Sequence, residues 1–285
     1  LLNGKNCRCN RYRFISFAQA KELGIYLLPL QITIDETTYQ DTLEISTQDI
    51  YKELANGKMP KTSMAAYQKI YDLFEELKKD YDTIFAVPLT NGLSTNASTM
   101  QSIARELEMN VHVIDMYATC ALEKHVAIWI KKLVDEHKSS EEILKIIQPA
   151  IDESNSLILV KNLQHLKRGG RLTPMAAALA GLLKIYPVLH INKSTEGRID
   201  VLNKVRTEKR ADAYAIDKIM DDIDIQHTHI YIIHSNFLEG ADHFKKCFIE
   251  KGVPEQNIHI DYISSVIAVH TGLGCIAIQY IREEN

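Results

Sequence analysis

Short runs rich in Ile, Val and Leu alternate with segments whose apolar residues recur every three or four positions. The runs at 26–34, 83–89, 111–115 and 157–161 predict strands. Residues 65–79 set Tyr67, Ile70, Tyr71, Phe74 and Leu77 on one stripe, the spacing of an amphipathic helix. Residues 93–107, 122–137 and 141–151 predict further helices. Strand alternating with helix implies a parallel sheet covered on both faces. The first half therefore reads as a parallel-sheet α/β/α domain.

The second half has a different texture. Residues 185–191, 199–205, 228–234, 258–262 and 275–281 predict strands, some close enough to be antiparallel neighbours in a mixed sheet. Residues 174–183, 209–220 and 241–251 predict helices. The helix from Met175 carries Ala176, Ala177, Ala178, Ala180 and Gly181, small enough to let another surface approach closely. The boundary is placed near residue 158, giving an α/β domain at 1–157 and a mixed-sheet α/β domain at 158–285. No Gly/Ser linker separates them, so tight packing is expected.

A length of 285 residues suits two domains. Hydrophobic residues at 46% and charged residues at 25% exclude a disordered chain. Thirty-three basic against 37 acidic residues give a net charge of −4, which disfavours nucleic acid as the main ligand. Cys7, Cys9, Cys120, Cys247 and Cys275 are odd in number and show no C-x-x-C, so reduced thiols and a cytoplasmic location are expected. The longest apolar run, 175–183, is too short to span a bilayer, so no integral membrane association is expected. The N-terminus is basic but has no apolar core, so a secretory signal is not expected.

Four stretches carry candidate chemistry. Thr90-Asn91-Gly92-Leu93-Ser94-Thr95 lies between a predicted strand and a predicted helix, where Ser94 and Thr95 serve as helix caps or as anion ligands. Lys61-Thr62-Ser63 brings a second hydroxyl pair to the start of another predicted helix. His270-Thr271-Gly272-Leu273-Gly274 formally matches G-x-G-x-x-A with Ala277, but too few residues follow for a dinucleotide fold. It reads instead as a glycine turn presenting His270 and Thr271. Leu166-Lys167-Arg168-Gly169-Gly170-Arg171 is a sharp turn flanked by arginines suited to phosphate or carboxylate, and Lys204, Arg206, Lys209 and Arg210 extend the basic character. His227 and His229 lack matching ligands, so no metal is expected. G-x-S-x-G is absent, although Ser94 and His270 remain a conceivable nucleophile and base for a serine-type hydrolase or a phosphotransferase.

Together these stretches resemble the DegV family of bacterial fatty-acid-binding proteins. The matching pieces are Lys61-Thr62-Ser63, Gly92-Leu93-Ser94, LKRGGRL at 166–172, LLKIYPVLH at 182–190, Glu196-Gly197-Arg198-Ile199, Lys204-Val205-Arg206, and His270-Thr271-Gly272 with Gly274. They occur in family order over most of the chain from about Gly24. The resemblance implies two α/β domains with a long-chain fatty acid in a tunnel between them and no cofactor. It implies that hydroxyls matching Thr62 and Ser94 hold the carboxylate, with Ser63, Thr95 and Thr271 beside them and His270 nearby. It also implies a carrier, not an enzyme, which presents its cargo to a separate fatty acid kinase making acyl-phosphate for phospholipid synthesis. Arg168, Arg171 and Arg206 would face that kinase or the acyl-phosphate. The sequence departs from the family at residues 1–10, where an Asp-Ser pair is missing, and at Thr95-Asn96, which replaces Gly-Thr.

Overall fold

A computed structural model describes residues 17–283. The expectations for the opening residues, Cys7 and Cys9 included, lie outside the described residues. The chain runs α1 (Phe17–Leu23), β1 (Gln31–Ile34), β2 (Thr37–Gln40), α2 (Thr47–Ala55), β3 (Lys61–Ser63), α3 (Tyr67–Leu77), β4 (Thr83–Ala86), α4 (Asn96–Glu106), β5 (Asn110–Val113), α5 (Ala121–Asp135) and α6 (Ser140–Glu153). It continues through β6 (Asn155–Leu159), α7 (Leu163–Arg168), α8 (Pro174–Leu179), β7 (Tyr186–Ile191), β8 (Asp200–Val205), α9 (Glu208–Asp222), β9 (Thr228–His234), α10 (Leu238–Glu250), β10 (Ile258–Tyr262), α11 (Ser265–Thr271) and β11 (Ile276–Arg282).

The larger sheet is mixed, as the second half predicts, with strand order β10-β9-β11-β6-β7-β8. β9 and β10 pair in parallel and the other neighbours are antiparallel. Alternation along each strand gives the sheet two apolar faces. Ile158, Leu189, Tyr231, Ile233 and Ala277 meet Leu122, Val126 and Trp129 of α5 and Ile143, Ile147 and Ile151 of α6. Leu157, Val188, Ile230, Ile232 and Ile278 meet Ala211, Ala215 and Ile219 of α9 and Phe244 and Phe248 of α10. So α5 and α6, which precede residue 157, pack on the sheet formed by the second half, and position 157/158 falls inside β6.

The first half holds a parallel pair, β4 with β5, against which Ile70 and Phe74 of α3 and Met100 and Ile103 of α4 are buried. The predicted strand at 26–34 is shortened to Gln31–Ile34. It pairs antiparallel with β2 and β3 in a separate three-stranded sheet. Pro29 offers no N–H to a ladder, so residues 26–30 run outside the sheet. The Lys61-Thr62-Ser63 stretch is strand β3, not a helix start. α3 begins at Tyr67 behind Ala66, with no side-chain cap. α8 stops at Leu179, short of the predicted 183. The helices α7 and α11 carry no periodic signal because each has two turns or fewer.

Two contacts lock the halves together. The Tyr51 hydroxyl on α2 reaches the main-chain carbonyls of His234 and Ile263 at 3.1 and 2.8 Å in a buried setting. Gly92 lies so close to the Gly197 carbonyl that any Cβ there would collide with backbone. Two of the sequence motifs therefore touch each other through their glycines.

Candidate functional site

Strand alternation decides which of the hydroxyls at 62 and 63 turns inward. Thr62 stands opposite the fully buried Ile32 and is half-buried. Ser63 is exposed, and its hydroxyl donates to the Gln31 side chain at 3.0 Å. Ile32 packs with Val266 and Val269 of α11. His270, in the last turn of that helix, therefore comes up against β3. The Thr62 hydroxyl oxygen and His270 Nε2 are 2.7 Å apart. Gly272, at φ 75°, ends the helix immediately after the pair.

The turn at 166–171 backs the imidazole. A Cβ on Gly169 would sit 2.8 Å from His270 Nδ1, so this glycine is required by contact with the ring. Its own φ is −63°; the left-handed residue of the turn is Gly170, at φ 72°. The Arg171 guanidinium donates to the Gly169 carbonyl at 2.6 Å and is half-buried. His165 Nε2 lies 2.8 Å from the Val269 carbonyl and joins α7 to α11. Burial, reinforced by the positive charges of Arg171 and His165, pushes the His270 pKa down to about 4. The imidazole is neutral at pH 7.

Ser94 and Thr95 lie at the start of α4. The Ser94 hydroxyl accepts from the Asn96 N–H at 3.2 Å, whereas Thr95, the cap residue, makes no side-chain cap bond. Thr95 donates instead to the Met64 sulfur at 3.4 Å, with Thr99 one turn on at 3.6 Å. These contacts bring the first turn of α4 against the residue next to β3. Thr271 is buried, its hydroxyl 3.5 Å from the Gly272 carbonyl. Arg168 ends α7 and Arg206 follows β8, both exposed.

A cavity of about 350 Å³ lies between the first half of the chain and the start of α11. Leu28, Leu30, Phe74, Met100, Ile130 and Val266 supply apolar wall. The first half of the chain provides most of the lining, and Ser264, Val266 and Ile267 close it from the second half. Thr62, Ser94 and His270 are not part of this lining. Val266 precedes His270 by four residues and so shares its face of α11, and Asn96, which lines the cavity, follows Ser94 by two. Asp41 and Glu123 also border the cavity and were not singled out by sequence, and Asn96, part of the departure from the family pattern at 95–96, borders it too. The capping box from Cys120 to Glu123 is a local signal for Glu123, but it does not point to a cavity. Among the described residues no cluster could hold a metal, and no helix is long and apolar enough to cross a membrane.

The parallel pair and the mixed six-stranded sheet define a two-domain α/β protein, and solved structures share this architecture. A protein from Streptococcus agalactiae described as a fatty acid binding DegV family protein superposes with a TM-score of 0.87, at 28% identity over 96% of each chain. DegV of Bacillus subtilis, described as a fatty acid binding protein, gives a TM-score of 0.81 at 26% identity, over 95% of this chain and 96% of its own. A curated DegV domain-containing protein of Halalkalibacterium halodurans is 30% identical over 272 residues, 93% of this chain and 94% of that protein. The family model described as "Uncharacterised protein, DegV family" matches residues 14–283. The chain belongs to the DegV family.

Proposed function

We propose that the chain binds a long-chain fatty acid, with the tail in the apolar cavity and the carboxylate at Thr62, Ser94 and His270. The observation that carries this reading is the Thr62–His270 pair, 2.7 Å apart, with His270 on the helix α11 whose Val266 and Ile267 line an apolar cavity. Relatives that cover nearly the whole chain are described as fatty acid binding, which supports it. The reading leaves out Ser63, whose hydroxyl turns to Gln31, Thr95, which donates to Met64, and the buried Thr271.

Burying about 14 methylenes of a C16 chain at roughly 0.8 kcal/mol each contributes about 11 kcal/mol before association costs. The tail therefore supplies most of the affinity, and the polar pair sets direction and selects a free acid. A Ser94–His270 nucleophile–base pair is disfavoured, because His270 Nε2 faces Thr62 and the Ser94 hydroxyl accepts from Asn96. The chain is accordingly read as a carrier that needs no cofactor. Its partner in this reading is a separate fatty acid kinase, and Arg168, Arg171 and Arg206 offer that kinase or the acyl-phosphate positive charge.

Titration with hexadecanoic acid and with its methyl ester tests the binding reading. The acid should saturate one site per chain and the ester should bind at least tenfold more weakly, the loss expected for hydrogen bonds to a charged group. Equal binding of the two would contradict a carboxylate site.

A further inference from the structure

Three stretches run along the cavity: residues 24–30, residues 84–89 and the side of α5 from Cys120 to Val134. One end of each leads toward the proposed head-group residues. Leu30 runs straight into β1, where Ile32 stands opposite Thr62. Leu89 enters the turn in which the Ser94 N–H donates to the Thr90 carbonyl at 3.1 Å. Cys120 meets the residue just before α11, its sulfur 3.6 Å from the Ser264 hydroxyl.

Gly24, Ile84 and Val134 mark the other end. Between Cys120 and Val134 the helix rises about 21 Å. An extended hydrocarbon advances about 1.2 Å per bond, as an extended main chain does, so about 18 carbons cover that distance. Tyr26 stands at this far end. It lines the cavity and is also 48% exposed, so a single side chain borders both the cavity and solvent. Its hydroxyl lies 3.3 Å from that of Tyr81, and the two rings meet edge to face with centroids 6.3 Å apart. Tyr81 is anchored in turn, its N–H donating at 3.0 Å to the carbonyl of Leu77, a cavity residue at the end of α3.

We propose that Tyr26, held in place by Tyr81, is the tail stop that limits the acids this cavity accepts to about 18 carbons. This rests on the fatty-acid reading above and names the residue that selects chain length. Tyrosine suits an end wall, because its ring is apolar and its hydroxyl tip is served by water or a hydrogen-bond partner. The ring meets the last methylenes of the tail, and the hydroxyl contact with Tyr81 keeps it from swinging aside. A longer tail must displace the ring or fold back, and methylenes that pass it into water gain no burial.

Displacement titrations of the full chain with tetradecanoic, hexadecanoic, octadecanoic, icosanoic and docosanoic acids test this. Parent affinity should rise about fourfold per methylene up to octadecanoic acid and then fall for docosanoic acid. Tyr26→Ala should bind docosanoic acid at least tenfold more tightly than the parent does, with little change for tetradecanoic acid, which ends short of the ring. Tyr26→Phe keeps the ring and should keep the parent's optimum. If Tyr26→Ala fails to fold, Tyr26→Trp decides the matter: its larger ring should move the optimum to a shorter acid. Parent affinity that climbs through docosanoic acid, or an optimum unmoved in the deciding variant, overturns the inference while leaving fatty-acid binding in place. Failure of every acid to bind the parent overturns both.

Discussion

Thr62 and His270 are 208 positions apart in the chain, yet the threonine hydroxyl and the imidazole Nε2 are 2.7 Å apart. The contact joins the three-stranded sheet of the first half to the last helix of the second. It is the point where a polar head group would meet both halves at once. Removing either partner leaves the other half-buried and unmatched, which is the costly way to lose a hydrogen bond.

Thr62→Ala and Ser94→Ala should each weaken fatty-acid binding by about 1–3 kcal/mol, or roughly fivefold to 150-fold. Displacement of a fluorescent fatty acid reads this directly. Parent-like affinity in both variants would put the carboxylate elsewhere.

Acid should destabilise the unliganded protein. His270 and His259 are both held at about 4 instead of the ordinary 6.5. Burial is the main cause in each; Arg171 and His165 add to it at His270, and His229 and His125 at His259. The unfolded chain takes up those protons first as the pH falls. The stability tied to the neutral rings is whole above pH 6.5 and is lost between 6.5 and 4. The histidine contribution to the urea midpoint should fall through that window, opposed in part by the raised carboxyls of Asp41 and Glu123, and His270→Gln should remove part of that fall. A bound carboxylate favours the imidazolium, so affinity should rise from pH 7.5 to 5.5 with proton uptake. Calorimetry in two buffers of different ionisation enthalpy measures that uptake, and none detected would remove His270 from the head-group site.

Two glycines separate architecture from binding. Gly169→Ala keeps an ordinary φ but pushes a methyl group onto His270 Nδ1 at 2.8 Å and against the Leu166 carbonyl at 3.1 Å. It should cost affinity of at least tenfold with little change in melting temperature. Gly92→Ala meets main chain at Gly197. It should lower the melting temperature by several degrees through overpacking of a rigid contact. The reverse pattern would mean that the 166–171 turn is structural and the 92–197 contact is yielding.

What could be read from the sequence follows from how far apart the informative residues lie. The strands of the six-stranded sheet were legible from apolar runs, as in Ile230–Ile233 and Ile276–Ile278, or from alternation, as in Ile258, Ile260 and Tyr262 of β10. The helices α3, α5, α6 and α9 were legible because each has three turns or more. β3 was not legible, because three residues with two hydroxyls show no alternation, and the strand exists by pairing with β1. The glycine turn at 272–274 was legible as a turn, whereas the short helix bearing His270 was not. Thr62, Ser94 and His270 could be singled out as hydroxyls and imidazole near predicted chain turns. Their mutual placement could not, because it depends on contacts across 208 positions. Asp41 and Glu123 escaped notice because an acidic residue in an ordinary charged stretch gives no sign of burial.

Arg171→Ala separates loading from delivery in the proposed kinase partnership. Its guanidinium spends one donor on the Gly169 carbonyl and retains others, and Arg meets phosphate oxygens bidentately. The variant should keep its fatty acid and its melting temperature but fail in acyl-phosphate formation with a matching kinase. Normal turnover by a loaded, stable variant would remove Arg171 from that step. Loss of stability would assign it to bracing the turn.

The proposed function requires that this chain hold a fatty acid. Its most direct test is mass spectrometry of an organic extract from the intact protein purified from bacterial cells, with protein quantified in parallel. About one fatty acid per chain is the expected result. Clean extracts from repeated preparations, together with no uptake of added fatty acid, would contradict fatty-acid binding by this chain.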